Sequence, residues 1–337
     1  MTLKESILEI FEKRRGETIS GQDLAQTFGV TRAAVCKAVK ALKSEGYKIG
    51  GVTKLGYTLD FEDDSVSEPG IRAALGKGFE EREIICAKVL DSTNTEAKRR
   101  IAQDGAHEML IVADKQTGGR GRTGKTFYSP EGTGIYMSAV LCPHAEIDDA
   151  VMVTVGAAVA VCRAIERYTG LEPRIKWVND IFVGGKKVCG ILTEAVSGFE
   201  NGMVEAVVVG IGINVKTAEF PENIKDVAAS LNAYKLQRRE LIAAVYRELC
   251  AVSERLLDKE VIEEYRSHSL VLGKEIVFAE KGQSVCAVAN SITERGNLVV
   301  RLSDGSTRVL RSGEISLGSG AFVGVDSERS GKNKEQK

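Results

Sequence analysis

The sequence has no long apolar run: its most hydrophobic stretch, AVMVTVGAAVAVC from Ala150 to Cys162, spans 13 residues. About 20 are needed to cross a bilayer as a helix, so this segment reads as a buried helix and no membrane partner is expected. The amino end, MTLKESILEIFEKRRG, carries charge every few residues and lacks the apolar core of a secretory signal, so no export is expected. Net charge is nearly absent, -1 over 337 residues, which leaves any nucleic-acid partner to be argued from local charge. The seven cysteines are scattered, odd in number and without a C-x-x-C pair. That pattern suits reduced thiols and a cytoplasmic location. Only three histidines occur, His107, His144 and His268, far apart in the chain. Histidine base catalysis has little support, and neither a Ser-His-Asp nor a metal-ligand set is apparent.

What is present suffices for several cores: 43% of residues are hydrophobic, and the length suggests two or three domains. Residues 1–60 read as three helices and a hairpin. LKESILEIFEKR, SGQDLAQTFG and TRAAVCKAVKALKSEG are helical, with Ser20 and Thr31 as N-caps and Gly29 and Gly46 as stops, and YKIGGVTKLGYTLD follows as a hairpin. This is the order of a winged helix-turn-helix. Residues 30–57 hold six basic residues against the single acid Glu45. Thr31, Arg32, Lys37, Lys40 and Lys54 are therefore the candidate DNA contacts, those at the helix start facing base edges and the later lysines facing phosphates.

Residues 61–70, FEDDSVSEPG, read as a linker, and 71–268 as an α+β domain with a mixed, largely antiparallel sheet, because its strands mostly follow one another directly. Residues 269–320 are strand after short strand and suggest a small β-barrel, and 321–337 a disordered tail.

Polar clusters interrupt the apolar strands of the middle domain. DSTN (Asp91–Asn94) closes a strand before a helix, where an ordinary helix cap is an equal reading. GRGRTGKTFYSP (Gly119–Pro130) contains G-x-x-x-x-G-K-[ST], the phosphate-loop pattern, but a second strand and not a helix follows it, so a P-loop is rejected. Its glycines let the backbone wrap a ligand, and Arg120 and Arg122 offer forked donors to a carboxylate or phosphate. KWVNDIFVGGKK places Lys176, Asn179, Asp180, Lys186 and Lys187 close together. Asp180 is a candidate for holding a nucleotide's magnesium, and a lysine starting a buried strand for stabilising phosphate charge. GIGIN (Gly210–Asn214) ends an apolar strand with no helix after it, so a dinucleotide fold is a weak reading. Together these point to adenylyl transfer by positioning and charge stabilisation.

DSTN, GRGRTGKTFYSP, KWVND, KVCGIL, GIGINV and the late GEISL, in this order and behind a winged helix-turn-helix, resemble the bifunctional biotin protein ligases that also repress biotin genes. The resemblance spans nearly the whole chain. It implies an SH3-like C-terminal barrel and a two-step reaction on biotin and ATP with Mg2+, in which biotinoyl-AMP forms and passes biotin to one lysine of a biotin carboxyl carrier protein. It further implies that Ser92, Thr93, Asn94, Gln116, Arg120, Gly121, Arg122 and Lys187 contact biotin. Arg120, Arg122, Phe127, Lys176, Asn179, Asp180 and Asn214 would meet the nucleotide, and Arg122 and Lys187 would carry the catalysis. The chain departs from the family where Phe127 and Val178 replace a frequent Trp and Pro, and where Thr123 and Lys125 replace frequent arginines. A homodimer on a palindromic operator is expected when biotinoyl-AMP is bound. Removal of residues 1–65 is expected to abolish DNA binding and spare ligation. The alternative is a biotin-sensing transcription factor without ligase activity, which the presence of Arg122 and Lys187 disfavours.

Overall fold

The computed structural model describes residues 2–52, 55–142, 150–197, 204–232, 235–280 and 282–317. Lys54, His144 and the expected disordered tail lie outside the described residues.

Helix α1 (Leu3–Lys13) starts at a reciprocal cap: the Thr2 hydroxyl accepts from the Glu5 amide, and the Glu5 carboxylate accepts from the Thr2 amide. Such a cap contributes about 1 kcal/mol. Ser20 and Thr31 cap α2 (Gly21–Thr27) and α3 (Arg32–Ser44). Between them Gly29 sits at φ +62°, a conformation that glycine adopts without steric cost. Strands β1 (Ile49–Val52) and β2 (Gly56–Leu59) pair antiparallel as the wing. Ile7, Phe11, Leu24, Val35, Val39 and Leu42 give this unit its own core.

The acidic stretch expected as a linker is partly structured. Ser67 caps α4 (Glu68–Leu75), with Pro69 in its first turn where a missing N–H is harmless. Asp63 and Asp64 ahead of it are drawn into ion pairs. Arg15 of α1 lies 3.8 Å from Asp63 and 2.6 Å from Glu12, and Arg238 Nε lies 3.0 Å from Asp64.

The central sheet runs β3-β4-β5-β9-β8-β7-β6, formed by β3 (Glu83–Leu90), β4 (Met109–Gln116), β5 (Gly134–Leu141), β6 (Arg174–Lys176), β7 (Asp180–Val183), β8 (Lys186–Ser197) and β9 (Val204–Asn214). Only β3 and β4, joined through α5 (Thr93–Asp104), are parallel, so the sheet is mixed and largely antiparallel. Side chains alternate between its faces. Leu110, Val112, Met137, Ala139, Val209 and Ile211 enter one large core with α6 (Ala150–Thr169), α7 (Arg238–Ser253) and α8 (Lys259–Ser267). Met109, Ile111, Val140 and Val208 pack with Ala97 and Ile101 of α5 in a smaller core on the other face. Farther along that second face stand Ser138, Gly210, Gly212 and Gly190, which are too small to build a core.

The C-terminal unit is an antiparallel sheet in the order β13-β12-β11-β10-β14, from β10 (Glu275–Glu280), β11 (Gln283–Ile292), β12 (Leu298–Arg301), β13 (Thr307–Leu310) and β14 (Ile315–Leu317). A register shift between Ala289 and Ser291 bends β11. β13 and β14 lie at opposite edges, and no pairing closes the sheet among the described residues. This unit docks on the central domain through Trp177, whose indole N–H donates to the Gly296 carbonyl at 2.9 Å.

Candidate functional site

The second face of the sheet becomes the floor of a cavity of about 1040 Å3. In register across β5, β9 and β8, Ser138 stands beside Gly210 and Leu192, and Tyr136 beside Gly212 and Gly190. The glycines are required by what lies on them. A Cβ at Gly210 would be 2.2 Å from Asn94 Oδ1, one at Gly212 would be 2.5 Å from the Phe127 ring, and one at Gly190 would be 3.3 Å from Lys187 Nζ. The GIGIN and KVCGIL motifs are thus a flat platform for side chains arriving from elsewhere.

All of the sequence-predicted biotin and nucleotide residues line this one cavity: Ser92, Thr93, Asn94, Gln116, Arg120, Gly121, Arg122, Phe127, Lys176, Asn179, Asp180, Lys187 and Asn214. At one end, Ser92 occupies the N-cap position of α5 but its hydroxyl makes no capping bond. The ordinary-cap reading of DSTN does not describe it. Gln116 Oε1 accepts from the Thr93 amide at 2.8 Å and from its hydroxyl at 3.2 Å. The Asn94 amide is engaged entirely by the protein, donating to Leu192 O and Glu194 Oε2 and accepting from Ser138 Oγ.

At the other end the Asn179–Asp180 pair gathers two cations. Arg122 donates to Asn179 Oδ1 at 3.1 Å, and Lys187 Nζ is 2.6 Å from Asp180 Oδ1. Nearby Lys176 lies over the Phe182 ring, 5.9 Å from its centroid. Burial pushes the Lys176 ammonium below the ordinary lysine value, and repulsion from Lys187 and Lys125 adds to this against the pull of Asp180. This end is a cationic cluster suited to an anion. Asn214 donates to the Ala229 carbonyl at 3.2 Å and so holds the segment after β9 against the platform.

The glycine-arginine loop between β4 and β5 contains a single 3-10 turn, Arg122–Gly124, and no helix. Its position bears out the rejection of a P-loop. Arg120 donates to Thr95 Oγ1 at 3.0 Å, Thr123 donates to Glu314 Oε1 at 2.6 Å, and Lys125 pairs with Glu314. Glu314 lies in GEISL, so the C-terminal unit reaches the loop directly.

Several lining residues escaped the sequence reading. Leu192 sits inside an apolar strand, and Phe220, Ile224 and Val227 belong to a polar-looking segment after GIGIN. No local pattern marks them, since only strand pairing and the return of that segment bring them in. In the N-terminal unit Thr31, Arg32, Lys37 and Lys40 are all exposed on or at the cap of α3, as a recognition helix requires. Lys54 is outside the described residues. No helix is long and apolar enough to cross a membrane among the described residues.

Comparison with known proteins bears on this geometry. Residues 86–214 match the Biotin/lipoate A/B protein ligase family, 4–58 an HTH domain and 271–318 the Biotin protein ligase C terminal domain. The chain is similar to the bifunctional ligase/repressor BirA of Bacillus subtilis, 33% identical over 94% of this chain and 99% of that one. It is 26% identical to that of Escherichia coli, over 90% and 94% of the two chains. A biotin protein ligase from Aquifex aeolicus, solved in complex with biotin and ATP, is 30% identical with a TM-score of 0.60, covering 70% of this chain and 98% of its own. A third of positions shared along nearly all of both chains, around one cavity that collects the six motifs, means that this chain belongs to the family of bifunctional biotin ligase/repressors.

Proposed function

We propose that the protein is an ATP-dependent biotin protein ligase and a biotin-responsive repressor. The observation that carries the ligase reading is the pairing of opposite chemistries in one cavity. Neutral donors and acceptors at Thr93 and Gln116 stand at one end, and Arg122, Lys187 and Lys176 at the other. In the first step the biotin carboxylate attacks the α-phosphorus of ATP and pyrophosphate leaves. Both reactants are anions, so catalysis consists largely of holding them together and neutralising charge as it develops. Lys187 and Arg122 are the groups within reach for that task, with Asn179, Asp180, Asn214 and Phe127 on the nucleotide side. In the second step a carrier lysine amine attacks the acyl carbon, the amine loses its proton, and AMP leaves. The loop over the cavity keeps water from the mixed anhydride in between.

Magnesium would enter with the triphosphate. Among the described residues no cluster of three acidic, histidine or cysteine side chains forms a cage, and Asp180 offers one carboxylate beside Lys187. That fits a hard cation that takes one carboxylate and otherwise phosphate and water oxygens. When bound, it would neutralise phosphate charge.

For the regulatory half, α3 carries Arg32, Lys37 and Lys40 on an exposed face, and one winged helix spans only a half-site. A homodimer formed when biotinoyl-AMP fills the cavity would match a palindromic operator. The carrier substrate is a biotin carboxyl carrier protein, and the setting is the cytoplasm. The bent β11 supports an SH3-like barrel reading of the C-terminal sheet.

The ligase reading is tested by incubating the chain with biotin, MgATP and an apo carrier domain and weighing the carrier. A gain of one biotinyl group is expected. Biotin binding with no adenylate and no mass gain would leave a non-catalytic sensor. For repression, operator titration at fixed salt with and without biotin and ATP should show tighter binding when adenylate forms, by roughly 1–3 kcal/mol of coupling.

A further inference from the structure

We propose that Glu194 is a positioning residue of this site: one carboxylate on β8 that sets the donor–acceptor direction of the Asn94–Ser138–Thr93 hydrogen-bond chain and tethers Arg120 of the loop. The proposal rests on the ligase reading only for the identity of the ligand.

Glu194 points to the cavity face of the sheet, opposite Val208 in register. Its two oxygens face different partners. Oε1 accepts from Lys98 Nζ at 2.8 Å, while Oε2 accepts from Asn94 Nδ2 at 2.8 Å and lies 3.6 Å from Arg120 Nη2. It therefore joins three parts of the fold: the strand itself, the start of α5 and the glycine-arginine loop. Burial alone would raise its pKa, but the bonds from Lys98 and Asn94 outweigh this and hold it below the usual carboxylate range. The group is thus an anion at neutral pH, and an anionic carboxylate only accepts.

That restriction propagates. Asn94 must turn its NH2 toward Glu194, and its second proton goes to Leu192 O at 3.2 Å. Its Oδ1 is then left facing Ser138 Oγ at 2.6 Å, and the Ser138 hydroxyl, which also lies 2.7 Å from Thr93 Oγ1, must act as a donor. With the one Ser138 proton on Asn94, the Thr93 hydroxyl proton serves both the 2.7 Å contact to Ser138 Oγ and the longer 3.2 Å contact to Gln116 Oε1. Every proton along this chain has a protein acceptor, so the group Thr93 leaves toward the cavity is a lone pair. This end of the site is built to accept from a ligand N–H, and biotin's ureido group provides one. The same carboxylate draws Arg120 over that end, so ligand recognition and loop position share one anchor.

The test compares the full-length wild type with Glu194→Gln and Lys98→Gln. Glu194→Gln keeps the shape but introduces an NH2 that must face either Asn94 or Lys98, so the chain loses its fixed direction. Biotin affinity by calorimetry is expected to fall roughly tenfold or more, the scale of a lost bond to a charged group, while the KM for ATP and the unfolding midpoint stay near wild type. Lys98→Gln removes the ion pair and leaves Asn94 oriented, so biotin affinity should stay within about twofold of wild type. Wild-type biotin affinity in Glu194→Gln would overturn the proposal. So would an equal loss in Lys98→Gln, or a parallel rise in both substrate KM values with a lowered midpoint. A wild-type chain that binds biotin but shows no pyrophosphate exchange overturns the ligase reading and leaves the Glu194 comparison valid. No biotin binding by the wild type overturns both.

Discussion

Lys187 enters β8 with its ammonium over Gly190 and 2.6 Å from Asp180, at the end of the cavity where negative charge would grow in the first step. Replacing it by alanine should reduce adenylate formation by about 100-fold or more, because the contact is needed chiefly in the transition state. Biotin affinity should change far less. Pyrophosphate exchange beside biotin calorimetry separates the two, and near-normal exchange would refute the role. Lys176 gives a pH signature. Burial and neighbouring lysines hold its pKa below the ordinary value, so a bound triphosphate, which favours the ammonium, should raise that pKa and draw in a proton. ATP affinity is therefore expected to weaken as pH rises through the lowered Lys176 pKa, before the range in which an ordinary lysine titrates. Lys176→Met should flatten that part of the profile. The same shift opposes folding: its full cost is present below the folded-state pKa and vanishes above the unfolded one.

At the scale of elements, the glycine-arginine loop matters most. It is tied to α5 and β8 through Arg120, to the KWVND turn through Arg122 and to the C-terminal sheet through Thr123 and Lys125. Each tie is modest, because exposed ion pairs contribute only about 0–1 kcal/mol. The loop can therefore open for substrates and still favour closure once an anion completes the set. Arg122→Gly removes one of these ties and the phosphate donor together while leaving the platform intact. The expected result is escape of biotinoyl-AMP, read as free adenylate and as biotin on lysines of bystander proteins, increased by about tenfold or more. Wild-type levels of both would dismiss the clamp.

At the scale of the whole molecule, the N-terminal unit is wired into the catalytic domain by buried charge. Arg238 is 4% exposed and pairs with Asp64 and with Asp114 of β4, two residues before Gln116. Lys216 adds a second cation to Asp64, and Arg239 lies 3.9 Å from Glu12 of α1. Where the chain is cut therefore matters. A version starting at Glu62 loses Glu12 and Arg15 but keeps Asp64 on Arg238, and should lose DNA binding while retaining ligation. A version starting at Val66 strips Arg238 of one carboxylate and should unfold more easily by about 3 kcal/mol or more, since removing one partner of a buried pair leaves charge uncompensated. Denaturant midpoints and pyrophosphate exchange on both versions decide it. Equal stability would mean that Asp114 alone suffices. The expectation that residues 1–65 can be removed without consequence for ligation thus shifts to a boundary a few residues earlier.

The sequence by itself determined the helix-turn-helix, because caps, glycine stops and periodic apolar residues act within a few positions of one another. It also determined the order of the ligand motifs and the failure of the P-loop pattern, since a strand after Thr126 is visible locally. Only the tertiary structure decided what those motifs do to each other. The glycines of GIGIN and KVCGIL are explained by Asn94, Phe127 and Lys187, which come from distant strands and loops. Phe220 and Glu314 reach the cavity, and Glu194 and Ser138 reach the Asn94 that lines it, through sheet register, a returning segment and domain docking, none of which leaves a periodic trace. The acidic linker read as spacer because local composition cannot show that Arg15 and Arg238 fold back onto its carboxylates. Local bonding rules are written along the chain, whereas contacts across it depend on which surfaces meet once apolar area has been buried.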